Sequence, residues 1–269
     1  MPKIPIKDFH LEHTLSCGQM FRTYMKGKWH YVTARDRIFR VCQSADQLEF
    51  QGVDREFLTS YFALDEPYPH ILAEINKDPF IDKAIRDYRG MRIVRQDAWE
   101  CLISFLCSSA ANIPKIKTNI EGMSQFFGKK IRAFGFEGYA FPNPGTLDDY
   151  EKIVQAKTGF RAKYIKAVND LVDEPFLSSL KKMPYPAAKK ALKYLPGVGD
   201  KIADCVLLFS LGFTGAFPVD TWMKKVLRKW YFKDEDVPEQ HLQEFGIRYF
   251  GKYAGYAQQF LYMAARESR

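Results

Sequence analysis

The stretch LPGVGDKIADC (Leu195–Cys205) and, shortly beyond it, PVDTWM (Pro218–Met223) hold residue types able to work on a sugar carbon. Lys201 falls in the first turn of the helix that follows the glycine hairpin, where the helix dipole disfavours a cation. A lysine placed for stability belongs at the other end of a helix. A neutral lysine amine is a nucleophile that forms a Schiff base with a sugar carbon. Asp220 sits where an N-cap belongs, and a carboxylate held by a cap can still aim one oxygen into a cleft, to stabilise an oxocarbenium ion or manage protons. Cys205, four residues after Lys201, shares its helix face, whereas Asp204 lies away from that face and reads as an ordinary residue. Taken singly, Lys201 fits a solvated surface lysine equally well and Asp220 a plain cap. The Lys–Asp pair beside a glycine hairpin is what points to chemistry at a deoxyribose C1′.

The segment KKALKYLPGVGDKIADCVLLF predicts helix, tight hairpin, helix, with Pro196 ending the first and Gly197 and Gly199 permitting the turn. The backbone N–H groups of Gly197, Val198 and Gly199 should point outward, a clamp suited to phosphate at a helix N-terminus. A helix–helix turn with nothing bound would look much the same.

The elements that must position these residues divide into two kinds. The first third is rich in β-formers around Met20–Tyr24, Trp29–Thr33, Ile38–Cys42 and Gln47–Gln51, separated by KGK, RDR and SAD, which predicts an antiparallel meander. From about Ala98 onward the chain reads almost wholly as helices, with AWECLISFLCSSAAN apolar nearly all round and therefore central. Thr146 is expected to cap the helix in NPGTLDDYEKIVQA. The fold class is α+β: an N-terminal antiparallel β-rich part with flanking helices, 1–90, packed on a larger all-helical part, 91–269, whose helix–hairpin–helix spans about 187–210.

Bulk properties narrow the function classes. The 46% apolar fraction over 269 residues supports a substantial core, and the longest apolar run, CVLLFSLGF, is too short to span a bilayer. The N-terminus has no apolar signal core, so a cytoplasmic protein is expected. Five cysteines (Cys17, Cys42, Cys101, Cys107, Cys205) are odd in number and never form CxxC, which argues against disulfides, zinc and iron–sulfur sites. A net charge of +8 permits a polyanionic partner without requiring one.

LPGVGDKIADC followed by PVDTWM resembles the helix–hairpin–helix DNA glycosylases, and the lysine resembles that of the bifunctional glycosylase/AP lyases. LSCGQMFR (Leu15–Arg22), QDAWECLISFLCSSAANI (Gln96–Ile113), TGFRAKYI (Thr158–Ile165) and YAGYAQQFLY (Tyr253–Tyr262) are similar to segments of the 8-oxoguanine DNA glycosylase family, in order along most of the chain. The resemblance implies excision of 8-oxoguanine flipped out of double-stranded DNA, with Lys201 as nucleophile and Asp220 as assisting carboxylate. It implies that the Gly18 carbonyl accepts the N7–H that distinguishes the lesion from guanine, and that Gln258 reads the Watson–Crick edge. Cys205 and Tyr262 would sandwich the base, Tyr262 standing where the family more usually has phenylalanine. Outside the resemblance Gly18 reads as a turn glycine, Gln258 as a polar helix residue and Tyr262 as a core aromatic.

The resemblance further implies DNA contacts from Phe160, as an intercalating wedge, and from Arg161, on the opposite strand. Two departures stand out. In CSSAANIPK, Ala110 and Ala111 replace two amides, leaving Asn112, and Lys115 stands for an arginine, so preference for the base opposite the lesion should be relaxed. Trp222 occupies a position that often holds histidine, which puts its phosphate contact in doubt. Lys224, Lys225, Arg228 and Lys229 form either a solvated face or a supplementary phosphate contact. No metal or organic cofactor is expected, an ion at the hairpin would be structural, and a monomer located with a prokaryotic nucleoid is expected. The rival readings are a monofunctional alkyl-base glycosylase, which has no use for Lys201, and a non-catalytic DNA-binding module, which would bind without excising.

Overall fold

In the computed structural model, which describes residues 1–267, short turns fold β2 (Thr23–Lys26), β3 (Trp29–Ala34), β4 (Arg37–Ser44) and β5 (Gln47–Gln51) into an antiparallel sheet that β1 (Lys3–Pro5) extends by pairing with β5. The order is β1-β5-β4-β3-β2, with Val32 opposite Phe39 and Val41 opposite Phe50. Strand alternation sends Val32, Phe39, Val41, Leu48 and Phe50 to one face, where Leu15 of α1 (Leu11–Ser16) and Leu58 of α2 (Arg55–Tyr61) cover them. The first strand expected, Met20–Tyr24, starts instead at Thr23, because Met20 and Phe21 turn away into the core and only Arg22 O, accepting from Thr33 N at 3.0 Å, still meets β3. The edge strand β1 carries too few residues to show alternation.

Helices α3 (Tyr68–Ile75) and α4 (Pro79–Asp87) precede residue 90, yet Tyr68, Ile71, Ile75, Ile81 and Ala84 belong to the core of the helical part. The packing therefore does not divide at residue 90. Helix α5 (Ala98–Leu106) is the expected central helix, buried from Cys101 through Leu106 and capped by Asp97. Helix α6 (Ile113–Phe127) follows, capped by Asn112.

The expectation of helices alone after Ala98 misses a hairpin, β6 (Lys130–Ala133) and β7 (Phe136–Tyr139), joined through Phe134 at φ 54° and Gly135 at φ 69°. Positive φ at both central residues is the turn geometry that suits strand twist. The hairpin covers the second face of the sheet, packing Ile131, Phe134 and Phe136 on Trp29, Tyr31 and Ile38.

Thr146 does not cap a helix; its hydroxyl donates to Asn143 O, 2.7 Å away. Asp149 caps the short α7 (Tyr150–Ile153), accepting from Lys152 N, because it directly precedes the first helical turn. Beyond α7 the chain passes through Lys157 at φ 62° and Gly159 at φ 60° into α8 (Ala162–Leu171). Helices α9 (Glu174–Leu180) and α10 (Tyr185–Lys193) lead to the hairpin. Helices α11 (Asp200–Ser210), α12 (Thr221–Tyr231), α13 (Glu239–Phe250) and α14 (Ala254–Glu267) complete the helical part. Helix α11 packs on α5, and α14 lies against α4 and α12. These contacts bring α11, the start of α12 and α14 around one cleft.

Candidate active site

The hairpin forms as the glycines require. Gly197 has φ 79°, and a Cβ there would lie 2.7 Å from the Tyr164 ring, so glycine is needed for both conformation and space. Gly199 is the residue before α11, no side chain caps that helix end, and nothing stands within 4 Å of where its Cβ would be. Open backbone at a helix N-terminus is what an approaching phosphate needs. Val198 departs from the expectation: its N–H turns inward onto Leu195 O (3.1 Å) and its side chain is buried.

A cleft of about 1040 Å³ opens beside the hairpin, lined among others by Gly18, Lys201, Cys205, Asp220, Gln258 and Tyr262. Residues from opposite ends of the chain thus converge on one concavity. Lys201 Nζ stands 2.9 Å from Ser108 Oγ and 4.8 Å from the centre of the Phe105 ring. That ring stacks on Phe209 and meets Phe21 edge-on, so the floor under the amine is rigid and apolar. Asp220 is a true N-cap: its Oδ1 accepts from Met223 N at 2.8 Å. Capping and facing the cleft are compatible, since the carboxylate has a second oxygen.

Cys205 is buried at the base of the cleft. Desolvation pushes its thiol up to about 12, with the neighbouring Lys201 pulling the other way, so it is a neutral wall rather than a second nucleophile. Tyr262 is raised above the ordinary phenol range, first by burial and then by the Asp220 carboxylate. Its hydroxyl would lie 3.3 Å from a Cβ at Gly18, whose φ of 80° already favours glycine. Gln258 is 4% exposed, and its Oε1 is buried with no hydrogen-bond partner among the described residues. A buried orphan acceptor costs about 1–3 kcal/mol unless a ligand donor satisfies it.

Around the rim, Phe160 is 57% exposed, displayed on the turn that Lys157 and Gly159 bend. Asn119 holds that turn, its amide donating to Ala156 O (3.0 Å) and Lys157 O (2.8 Å). Arg161 does not reach outward as expected. It is 6% exposed and its guanidinium is committed to backbone carbonyls, Nε to Ser109 O (2.8 Å), Nη1 to Thr158 O (3.1 Å) and Nη2 to Ala110 O (3.1 Å). Five fixed donors on one planar group suit it to gathering several carbonyls, and here they tie the Phe160 turn to the Ser109–Ala110 turn.

Asn112 spends its side-chain oxygen capping α6 through Lys115 N (3.0 Å), and Ala110 holds φ 49°. Trp222 lines the cleft with Lys225 Nζ 5.3 Å from its ring. The basic run on α12 is partly neutralised, because Lys224 pairs with Glu239 and Arg228 with Asp236.

Asp204 is not ordinary. It is fully buried, accepting from Tyr185 Oη (2.6 Å), Lys189 Nζ (3.0 Å) and the Gln243 amide, so it links α10, α11 and α13 behind the cleft. Sequence reasoning also missed Ser108, Gln259 and Arg266, which join the cleft only through tertiary packing. A serine beyond a helix end and polar residues on a C-terminal helix carry no local signal for such roles. No helix among the described residues is long and apolar enough to cross a membrane.

Residues 2–102 match the family described as 8-oxoguanine DNA glycosylase, N-terminal domain. An Arabidopsis thaliana protein named N-glycosylase/DNA lyase OGG1 is 38% identical over 292 residues, covering 97% of this chain and 79% of that protein. The Clostridium acetobutylicum 8-oxoguanine glycosylase/lyase, solved in complex with dsDNA containing cytosine opposite to 8-oxoG, is 32% identical. Its TM-score is 0.92, over 100% of this chain and 98% of that one. MBOgg1, solved in complex with a low affinity DNA ligand, gives a TM-score of 0.93 at 34% identity, over 99% of this chain and 95% of that one.

Proposed function

This chain belongs to the 8-oxoguanine DNA glycosylase family, and we propose that it excises 8-oxoguanine from duplex DNA and then nicks the abasic strand. The observation that carries the reading is the convergence of Lys201, Asp220, Gly18 and Gln258 on one cleft beside a glycine hairpin. The hairpin backbone holds the phosphate chain, and Phe160 fills the gap left when the lesion swings into the cleft.

In the cleft, the lesion lies between Cys205 and Tyr262, its N7–H donating to the Gly18 carbonyl. Guanine has a lone pair at N7 and would set two acceptors against each other. The orphan Oε1 of Gln258 takes a donor from the Watson–Crick edge. The Lys201 amine attacks C1′ and the C1′–N9 bond breaks, the electron pair leaving with the base. Asp220 stabilises the positive charge that develops on the sugar. Loss of a proton from the resulting adduct and opening of the ring give an imine, and β-elimination breaks the C3′–O bond on the 3′ side of the lesion. An amine and a carboxylate supply this chemistry without a metal or organic cofactor. The enzyme acts as a monomer and works where the chromosomal DNA is.

Borohydride tests the reading. Incubation with 8-oxoguanine duplex should trap a covalent protein–DNA adduct, and Lys201→Gln should abolish it. Excision without trapping would remove Lys201 from the nucleophile role, and salt-sensitive binding without excision would favour the non-catalytic module.

A further inference from the structure

We propose that Gln259 and Arg266 are positioning residues for the base-reading loop, gripping the backbone on which Gly18 sits. The inference rests on the reading of the Gly18 carbonyl as the group that recognises the lesion. Helix α14 presents Gln258 and Tyr262 to the cleft, and its next residue, Gln259, is 2% exposed and donates from Nε2 to Cys17 O at 2.6 Å. Two turns further along the same helix, Arg266 donates from Nη1 to Ser16 O at 2.9 Å.

On the far side of Gly18 a third amide acts in the same way. Gln96 Nε2 donates to Gln19 O at 2.7 Å, and the buried Gln19 side chain is itself bound to Thr14 O, Arg92 O and Val94 N. The carbonyls on both sides of Gly18 are therefore held, one from α14 and one from the segment leading into α5. This matters because Gly18 is a glycine. Its φ of 80° is one of two comparably populated wells, so its peptide planes would otherwise be free to rotate and turn the reading carbonyl away. Gln259 supplies what the residue type at position 18 cannot. The helix that reads one edge of the base thereby also sets the geometry of the loop reading the other.

Three activities separate this role from a merely structural one: single-turnover excision of 8-oxoguanine, the KM for lesion duplex, and strand cleavage at a preformed abasic site. The last uses Lys201 with no base to read. Gln259→Glu keeps the shape but replaces the donor with an acceptor facing Cys17 O, and Gln259→Leu removes the donor without adding charge. Both should slow the excision step by about tenfold or more, the loss expected when the Gly18 carbonyl swings out of line and its hydrogen bond to the lesion is weakened. Cleavage of the preformed abasic site and KM should change less than about threefold, whatever the variants cost in melting temperature. Arg266→Met should give a smaller effect in the same direction, its guanidinium being nearer solvent.

Wild-type excision rates in the Gln259 variants would overturn the proposal. So would a parallel fall of excision and abasic-site cleavage, which would make Gln259 a packing residue. A wild-type protein that cleaves abasic sites but leaves 8-oxoguanine in place would overturn the functional reading itself, and this inference with it.

Discussion

Lys201 Nζ and Ser108 Oγ stand 2.9 Å apart, joining the first turn of α11 to the end of α5 across the cleft. The hydroxyl is a polar group that holds the amine above the Phe105 ring. Ser108→Ala removes one hydrogen bond worth about 0.5–1.5 kcal/mol, so excision should slow by roughly threefold to tenfold while borohydride trapping persists. Lys201→Gln should eliminate both. Equal losses in the two variants would mean that Ser108 does more than orient the amine.

The base opposite the lesion should matter little. Ala110 and Ala111 offer only methyl groups, and the side-chain oxygen of Asn112 is occupied as a helix cap. Excision rates opposite C, T, G and A should lie within about one order of magnitude, because each missing amide contact forgoes about 1–3 kcal/mol of discrimination. Ala110→Asn is the informative variant. Position 110 has φ 49°, a conformation asparagine adopts more readily than alanine, so cytosine preference should rise with melting temperature unchanged or higher. Rates spanning several orders of magnitude in the wild type would refute this account.

Phe160 is exposed and packs no core, so Phe160→Ala should change stability by less than about 0.5 kcal/mol. Loss of a stacking wedge worth about 1–3 kcal/mol should still slow excision from duplex DNA by roughly tenfold. Parallel thermal melts and single-turnover kinetics separate the two effects. A large drop in melting temperature with unchanged excision would show that Phe160 is a packing residue.

The helical architecture and the placement of Lys201 and Asp220 at the starts of two helices were legible in the sequence because each has a local cause. The apolar run of α5 demands burial, and Asp220 caps the helix that follows it. The β6–β7 hairpin was missed although Lys130, Ile131, Arg132 and Ala133 alternate, since four residues are too short a pattern to stand out and their apolar side chains matter only against Trp29 and Tyr31. Arg161 shows the same limit on the site. Its sequence neighbour Phe160 points outward, and only the folded chain brings Ser109 and Ala110 close enough to absorb the guanidinium. Asp204 was misread for a related reason: its partners Lys189 and Gln243 lie on other helices.

That buried cluster carries its own prediction. Burial raises the Asp204 carboxyl above its ordinary range, opposed first by Lys189 and then by the Tyr185 hydroxyl. Lys189→Met leaves a fully buried carboxylate without its cation and should cost about 3–5 kcal/mol of stability. Adding Asp204→Leu should recover much of that loss, because an apolar pair in place of a buried ion pair is often tolerated. Denaturant melts of the single and double variants decide it. If the single variant is as stable as wild type, Asp204 is already satisfied by Tyr185 and Gln243.

Burial also sets how the protein responds to alkali. The Cys205 and Cys107 thiols are pushed up to about 12 and Cys17 up to about 11, in each case chiefly by desolvation of the thiolate, from a reference value of 9.0. Their pKa values are raised in the folded state, so the stability they contribute is fully present below the unfolded value and is lost as pH rises from about 9 towards 12. The unfolded chain releases these protons first, and each ionisation therefore favours unfolding. Iodoacetamide at pH 8 should leave all three cysteines unmodified in the native protein and label them once denaturant unfolds it, because the thiolate is the reactive form. Borohydride trapping by the iodoacetamide-treated native protein should match that of the untreated sample. Rapid native-state labelling of Cys205, with loss of trapping, would show that the thiol beside Lys201 is exposed and ionised rather than a neutral wall of the cleft.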